Sequence, residues 1–138
     1  FGADTTVRTI NGNVWMTEAY AVGTFGMVFD TAYQNNNTAT QSNGSVIVND
    51  PVAPDADTAA MLQSNDWGGS AGAPLGFTIP VPNGSYHAYV WARENWAPGH
   101  RDINLAIESV PRLNDMLRNA AVGAWHRYGP FPVTVADG

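Results

Sequence analysis

The chain has 138 residues, is 44% hydrophobic but only 13% charged, and carries a formal net charge of -6. That apolar share suffices for the core of one small domain and excludes a disordered tail, while no apolar run reaches the roughly 18 residues of a membrane-spanning helix. With arginine but no lysine among so many acids, the surface repels phosphate backbones and anionic lipid, so neither nucleic acid nor a membrane is an expected partner.

Cysteine is absent, which removes disulfides, thiolate metal sites and cysteine nucleophiles and leaves the redox compartment open. In chain order, residues 7–10, 14–21, 24–29 and 45–48 read as short strands. NNNTATQSNG (35–44) is polar and turn-rich and reads as a surface loop, as does DPVAPDAD (50–57). Asp50, Asp55 and Asp57 of the second loop are hard oxygen donors of the kind calcium takes, although a solvated acidic loop is the simpler reading.

The second half is more regular. Phe77, Ile79 and Val81 alternate, and PNGS (82–85) supplies a turn. The run 86–93 then puts Tyr86, Ala88, Val90 and Ala92 on one face and His87, Tyr89, Trp91 and Arg93 on the other. This predicts a hairpin over 77–93, with Tyr86 in the core and the Tyr89–Trp91 face serving as core or as a binding platform. Over 101–110, Ile103, Leu105 and Ile107 oppose Asp102, Asn104 and Glu108, and Phe131, Val133 and Val135 repeat the pattern. Leu113, Met116, Leu117, Ala120 and Ala121 instead follow helical spacing. Short strands at this spacing predict an all-β sandwich or barrel, one domain over 1–138. Neutral polar residues with many aromatics point to a secreted, extracellular protein.

The pieces MLQSNDWGG (61–69), GFTIPVPNGSYHAYVWARENW (76–96), GHRDINLAIES (99–109), RLNDMLRNAAVG (112–123) and FPVTVADG (131–138) follow one another in an order that resembles the malectin family of carbohydrate-binding domains. The resemblance covers the second half and implies a β-sandwich of jelly-roll, galactose-binding-like type. It also implies that 112–123 is strand and turn rather than helix. The family continues past a V-x-D-G turn into a closing strand, so a sandwich built from these residues is expected to lack its last strand, to fill that place with the N-terminal 20 residues, or to receive a strand by self-association or donation from another chain. FDTAY (29–33) sits where the family often has an aspartate followed by a tyrosine.

A protein binds a sugar by laying an aromatic ring on its C–H face and aiming planar polar groups at its hydroxyls. Trp67, in SNDWGGSAG, and Trp96, in RENWAPGH, both read as loop tryptophans, with Asp66, Glu94 and Asn95 beside them for hydroxyls. The resemblance puts Trp67 at the family's first aromatic loop position and Trp96 near its second aromatic pair. Asn95 stands where a tyrosine is usual, and Tyr33 is a third aromatic by the same likeness. Packing beneath a loop is the competing explanation for each, and the preferred one for Trp15, Trp125 and Phe131. WHRY (125–128) can rim a site, with nothing local to favour it.

Catalysis finds little support: glycoside hydrolysis needs two carboxylates about 5–10 Å apart, the glutamates are Glu18, Glu94 and Glu108 alone, and Asp66 and Glu94 can meet across adjacent loops only as many other acid pairs can. No Gly-x-Ser-x-Gly elbow occurs, and His87, His100 and His126 lack metal-ligand spacing. The expectation is a non-catalytic module that binds a neutral, glucan-like saccharide, with no cofactor. The alternative is a structural subunit or adhesin domain of an extracellular assembly that exchanges strands with its neighbours.

Overall fold

The computed structural model describes residues 5–32, 34–37, 54–68 and 72–138, with the backbone alone for Gln34–Asn37, Asn65 and Trp67. The described chain is mainly β-strand, with two short helices. It divides into two compact units, one of Phe1–Thr40 with Pro54–Val81 and one of Gln41–Ala53 with Pro82–Gly138.

In the first unit, β1 (Arg8–Ile10) and β2 (Asn13–Trp15) form a hairpin. Its turn, Asn11–Gly12, has φ of 53° and 76°, the pair of positive values that suits strand twist and that Asn-Gly adopts readily. Residues 14–21 and 24–29 are not two strands. Thr17 accepts a hydrogen bond from the Tyr20 N–H and starts α1 (Glu18–Phe25), Gly26 ends it in the left-handed conformation, and β3 (Val28–Phe29) follows. Cap residues at both ends decide for helix where alternation alone suggested strand.

β4 (Gln34–Asn37) pairs antiparallel with β5 (Ser64–Trp67), so part of the expected 35–44 loop is strand. The rest of that loop and the expected strand at 45–48 lie outside the described residues. α2 (Ala56–Leu62) begins at Asp55, whose carboxylate accepts the Thr58 N–H at 2.7 Å. Asp57, in its first turn, accepts from Arg8 Nη1 and from the Thr9 N–H, both at 3.2 Å, and ties α2 to β1. The acids read as a candidate calcium loop thus cap and anchor a helix, Asp50 lying outside the described residues. Among the described residues no group of three or more acids or histidines is placed to hold a metal ion. Ile10, Ala21, Met27 and Leu62 are the buried apolar side chains of this unit.

The expected hairpin over 77–93 does not form: β6 (Phe77–Thr78) pairs with β3, and β7 (Gly84–Arg93) pairs with β10 (Trp125–Val135). Pro80 and Pro82 lack the N–H groups that would carry the ladder from one run to the next. Tyr86, expected in the core, is exposed, and its hydroxyl donates to the Pro82 carbonyl. β8 (Ile103–Ile107) and β9 (Val110–Met116) make the other hairpin of the second unit. Glu108 is not on a strand face but in the turn, with φ of 52°. Segment 112–123 is strand and then turn, not helix: Asp115, Leu117 and Asn119 have φ of 58°, 63° and 59°, which a right-handed helix does not contain. Met116, Leu117, Val133 and Val135 are buried here, and the Tyr128 hydroxyl accepts the Leu117 N–H at 3.2 Å, joining the turn to β10. Every sheet among the described residues has two strands.

Candidate functional site

The loop that leaves β7 is built around one carboxylate. Glu94 is fully buried, and its Oε1 accepts the Trp96 N–H at 3.0 Å while its Oε2 accepts the Arg101 N–H at 2.7 Å. The Arg101 Nε lies 3.9 Å from Oε1, supplying positive charge next to the buried anion. The Glu94 backbone is held as well: its N–H donates to Ala124 at 2.9 Å, and its carbonyl accepts from Gly123 at 2.7 Å. Asn95 is buried too, and its Oδ1 accepts from Arg101 Nη2 at 2.7 Å. A short stretch of irregular chain is thereby pinned at both ends from below.

Trp96 rides on top of it, 59% exposed. The His100 ring lies beside it, with centroids 6.5 Å apart and planes inclined by 47°. A large ring left in solvent on a backbone whose hydrogen bonds are met internally can present a fixed apolar plane to a ligand. Glu94 and Asn95, expected to face sugar hydroxyls, instead spend their polar atoms on the loop and on Arg101. Arg101 was not singled out in the sequence. Neither it nor Glu94 lies in a helix or strand, so only the folded loop brings the two together.

No family model, curated protein or solved structure matches the chain. The residues therefore have to speak through their own geometry.

Asp66 and Trp67 belong to the other unit. They end β5, with Asp66 opposite Asn35 and Trp67 opposite Gln34. Trp67 is thus on a strand at its backbone, not in a loop. Its side chain, like Tyr33 as a whole, lies outside what the structure describes. Both Asp66 carboxyl oxygens are buried without a hydrogen-bond donor. Burial first, and the Glu18 carboxyl second, push the Asp66 pKa up to about 6. The Glu18 carboxyl stands in the first turn of α1, and its charge adds to burial in favouring the protonated form of Asp66. Glu18 is therefore the acid whose charge Asp66 feels.

Proposed function

We propose that the chain is a non-catalytic carbohydrate-binding module of malectin-like, jelly-roll kind, acting outside the cell on a neutral, glucan-like oligosaccharide. The observation that supports this reading is Trp96, an exposed indole on a loop whose backbone is clamped by the buried Glu94. A sugar ring stacks on the indole face, His100 lies within reach of the sugar's edge, and Glu94 and Asn95 act through the loop rather than on the ligand. Shallow aromatic sites of this sort bind with dissociation constants on the order of µM to mM, and tethering to a polymer raises the effective affinity.

Isothermal titration of the intact chain with a neutral gluco-oligosaccharide, beside Trp96→Ala and Trp67→Ala, tests the reading. Trp96→Ala is expected to weaken binding by about 10-fold or more, as loss of a stacked ring does. Unchanged affinity in a folded Trp96→Ala variant would remove the site.

A second reading, a subunit or adhesin domain that pairs with neighbouring chains, draws on a different observation. Each sheet of the described residues has two strands, and α1 exposes Tyr20, Val22 and Phe25. Open ladder edges and apolar surface are what strand addition and docking use.

A further inference from the structure

A second face of the same unit carries chemistry that the Trp96 loop does not use. His87, Tyr89, Trp91 and Arg93 share one side of β7 by strand alternation, and the ladder sets Arg127 of β10 directly across from Trp91. The Arg127 guanidinium carbon lies 5.3 Å from the Tyr89 ring centre and 5.9 Å from that of Trp91. The two rings are 6.3 Å apart and tilted by 50°. Tyr89 is 42% exposed and Arg127 is exposed as well. A bulge between Tyr128 and Phe131 carries β10 past the Tyr89 ring. Gly129, within it, has φ of 114°, and a Cβ there would sit 2.6 Å from the Ala88 carbonyl oxygen and 3.2 Å from the Tyr89 ring, so only glycine allows this approach.

Arg127 is the unusual member. Arg8, Arg101 and Arg118 meet the carboxylates of Asp57, Glu94 and Asp115, whereas Arg127 lies against the two rings. Stacking fixes the guanidinium plane while leaving its in-plane N–H donors for a ligand. The chain's acidity does not oppose an anion here. Within residues 82–138 five arginines balance five acids, and the whole net charge of -6 resides in residues 1–81.

We propose that the Tyr89–Trp91–Arg127 face is a second binding site, selective for a sugar unit bearing a carboxylate, such as a uronate at the end of an otherwise neutral chain. The aromatic rings take the C–H face of the sugar, and the guanidinium takes the carboxylate through two parallel N–H···O bonds. A single carboxylate answers to the local field within the roughly 8 Å screening length at physiological salt, whereas an extended polyanion also meets the acidic remainder of the chain. The ligand class rests on the carbohydrate reading, but the residues are different.

The test is isothermal titration of the full chain with a gluco-oligosaccharide ending in glucuronate and with its counterpart ending in glucose. Arg127→Gln, Arg127→Lys and Trp96→Ala are titrated in parallel, each checked for folding by near-ultraviolet circular dichroism. The intact chain is expected to prefer the uronate-ended ligand by about 10-fold, the effect of a charge-assisted bidentate pair. Arg127→Gln should abolish that preference, Arg127→Lys should retain part of it, and Trp96→Ala, by weakening the neutral ligand, should widen it. Equal affinity for the two ligands, a preference that survives Arg127→Gln, or equal competition by inorganic sulfate would overturn the proposal. Uronate preference without affinity for the neutral ligand would remove the proposed function and leave this site standing. Failure to bind either ligand would remove both.

Discussion

Two acids beside tryptophans look alike in the sequence, Asp66 before Trp67 and Glu94 two residues before Trp96, yet their surroundings differ in sign. Glu94 is buried with two backbone N–H donors and a nearby guanidinium, so its ionised form has partners. Removing it leaves those donors unmet in the interior, a loss of about 2–4 kcal/mol. Asp66 has burial and a second carboxyl, which both favour the protonated form. Because its pKa is raised in the fold from 3.8 to about 6, the stability it adds is complete below pH 4 and is lost as pH rises through 6. Asp66→Asn keeps the size of the side chain and removes its ionisation. Urea denaturation between pH 4 and 8 is expected to show the native chain losing stability over pH 4 to 6 and the variant holding it. Above pH 7 the variant should be ahead by about 1 kcal/mol, the partly solvated site screening the rest. An identical pH profile for both chains would show that Asp66 is not the group responsible.

At the scale of elements, short-range signals competed and the caps won. Thr17 with Gly26, and Asp55 ahead of Ala56, mark helices that a reading based on alternation passes over, because eight or seven residues are too few for periodicity to decide. The β8–β9 hairpin shows the reverse, a turn whose residues do not suit it. Ile107 pairs with Val110, so Glu108 and Ser109 form a two-residue loop with φ of 52° and 59°. Both residues bear the left-handed conformation at a steric cost that Asn and Gly largely avoid. Replacing the pair, Glu108→Asn with Ser109→Gly, is expected to stabilise the chain by about 1 kcal/mol, read as a higher urea midpoint at unchanged slope. A lower midpoint would mean that these side chains hold something besides the turn.

For the whole molecule the open question is whether it acts alone. The two-stranded sheets leave ladder edges, but β10 carries Pro130 and Pro132 and β9 carries Pro111, and proline blunts an edge by removing donors. Sedimentation equilibrium over a wide concentration range is therefore expected to give the 14.7 kDa monomer. A mass that climbs with concentration would favour the assembly reading over the module. The uneven charge, acidic in residues 1–81 and balanced in 82–138, argues for placing ligand contacts with anions in residues 82–138.

The sequence by itself determined that the chain is mainly β, because alternation over 84–93, 103–107 and 131–135 is a local pattern that a strand reads out directly. It also marked Trp96 as a loop residue, since Pro98 and Gly99 follow it at once. Tertiary structure alone decided which strands pair, because β7 meets β10 across more than thirty residues and not its sequence neighbour β6. It decided equally that Glu94 is a brace and not a ligand contact, that Asp66 answers to Glu18, and that Arg127 lies on Tyr89 and Trp91. Each of these depends on side chains brought together from distant positions or on the path of an irregular loop, and a local pattern carries neither.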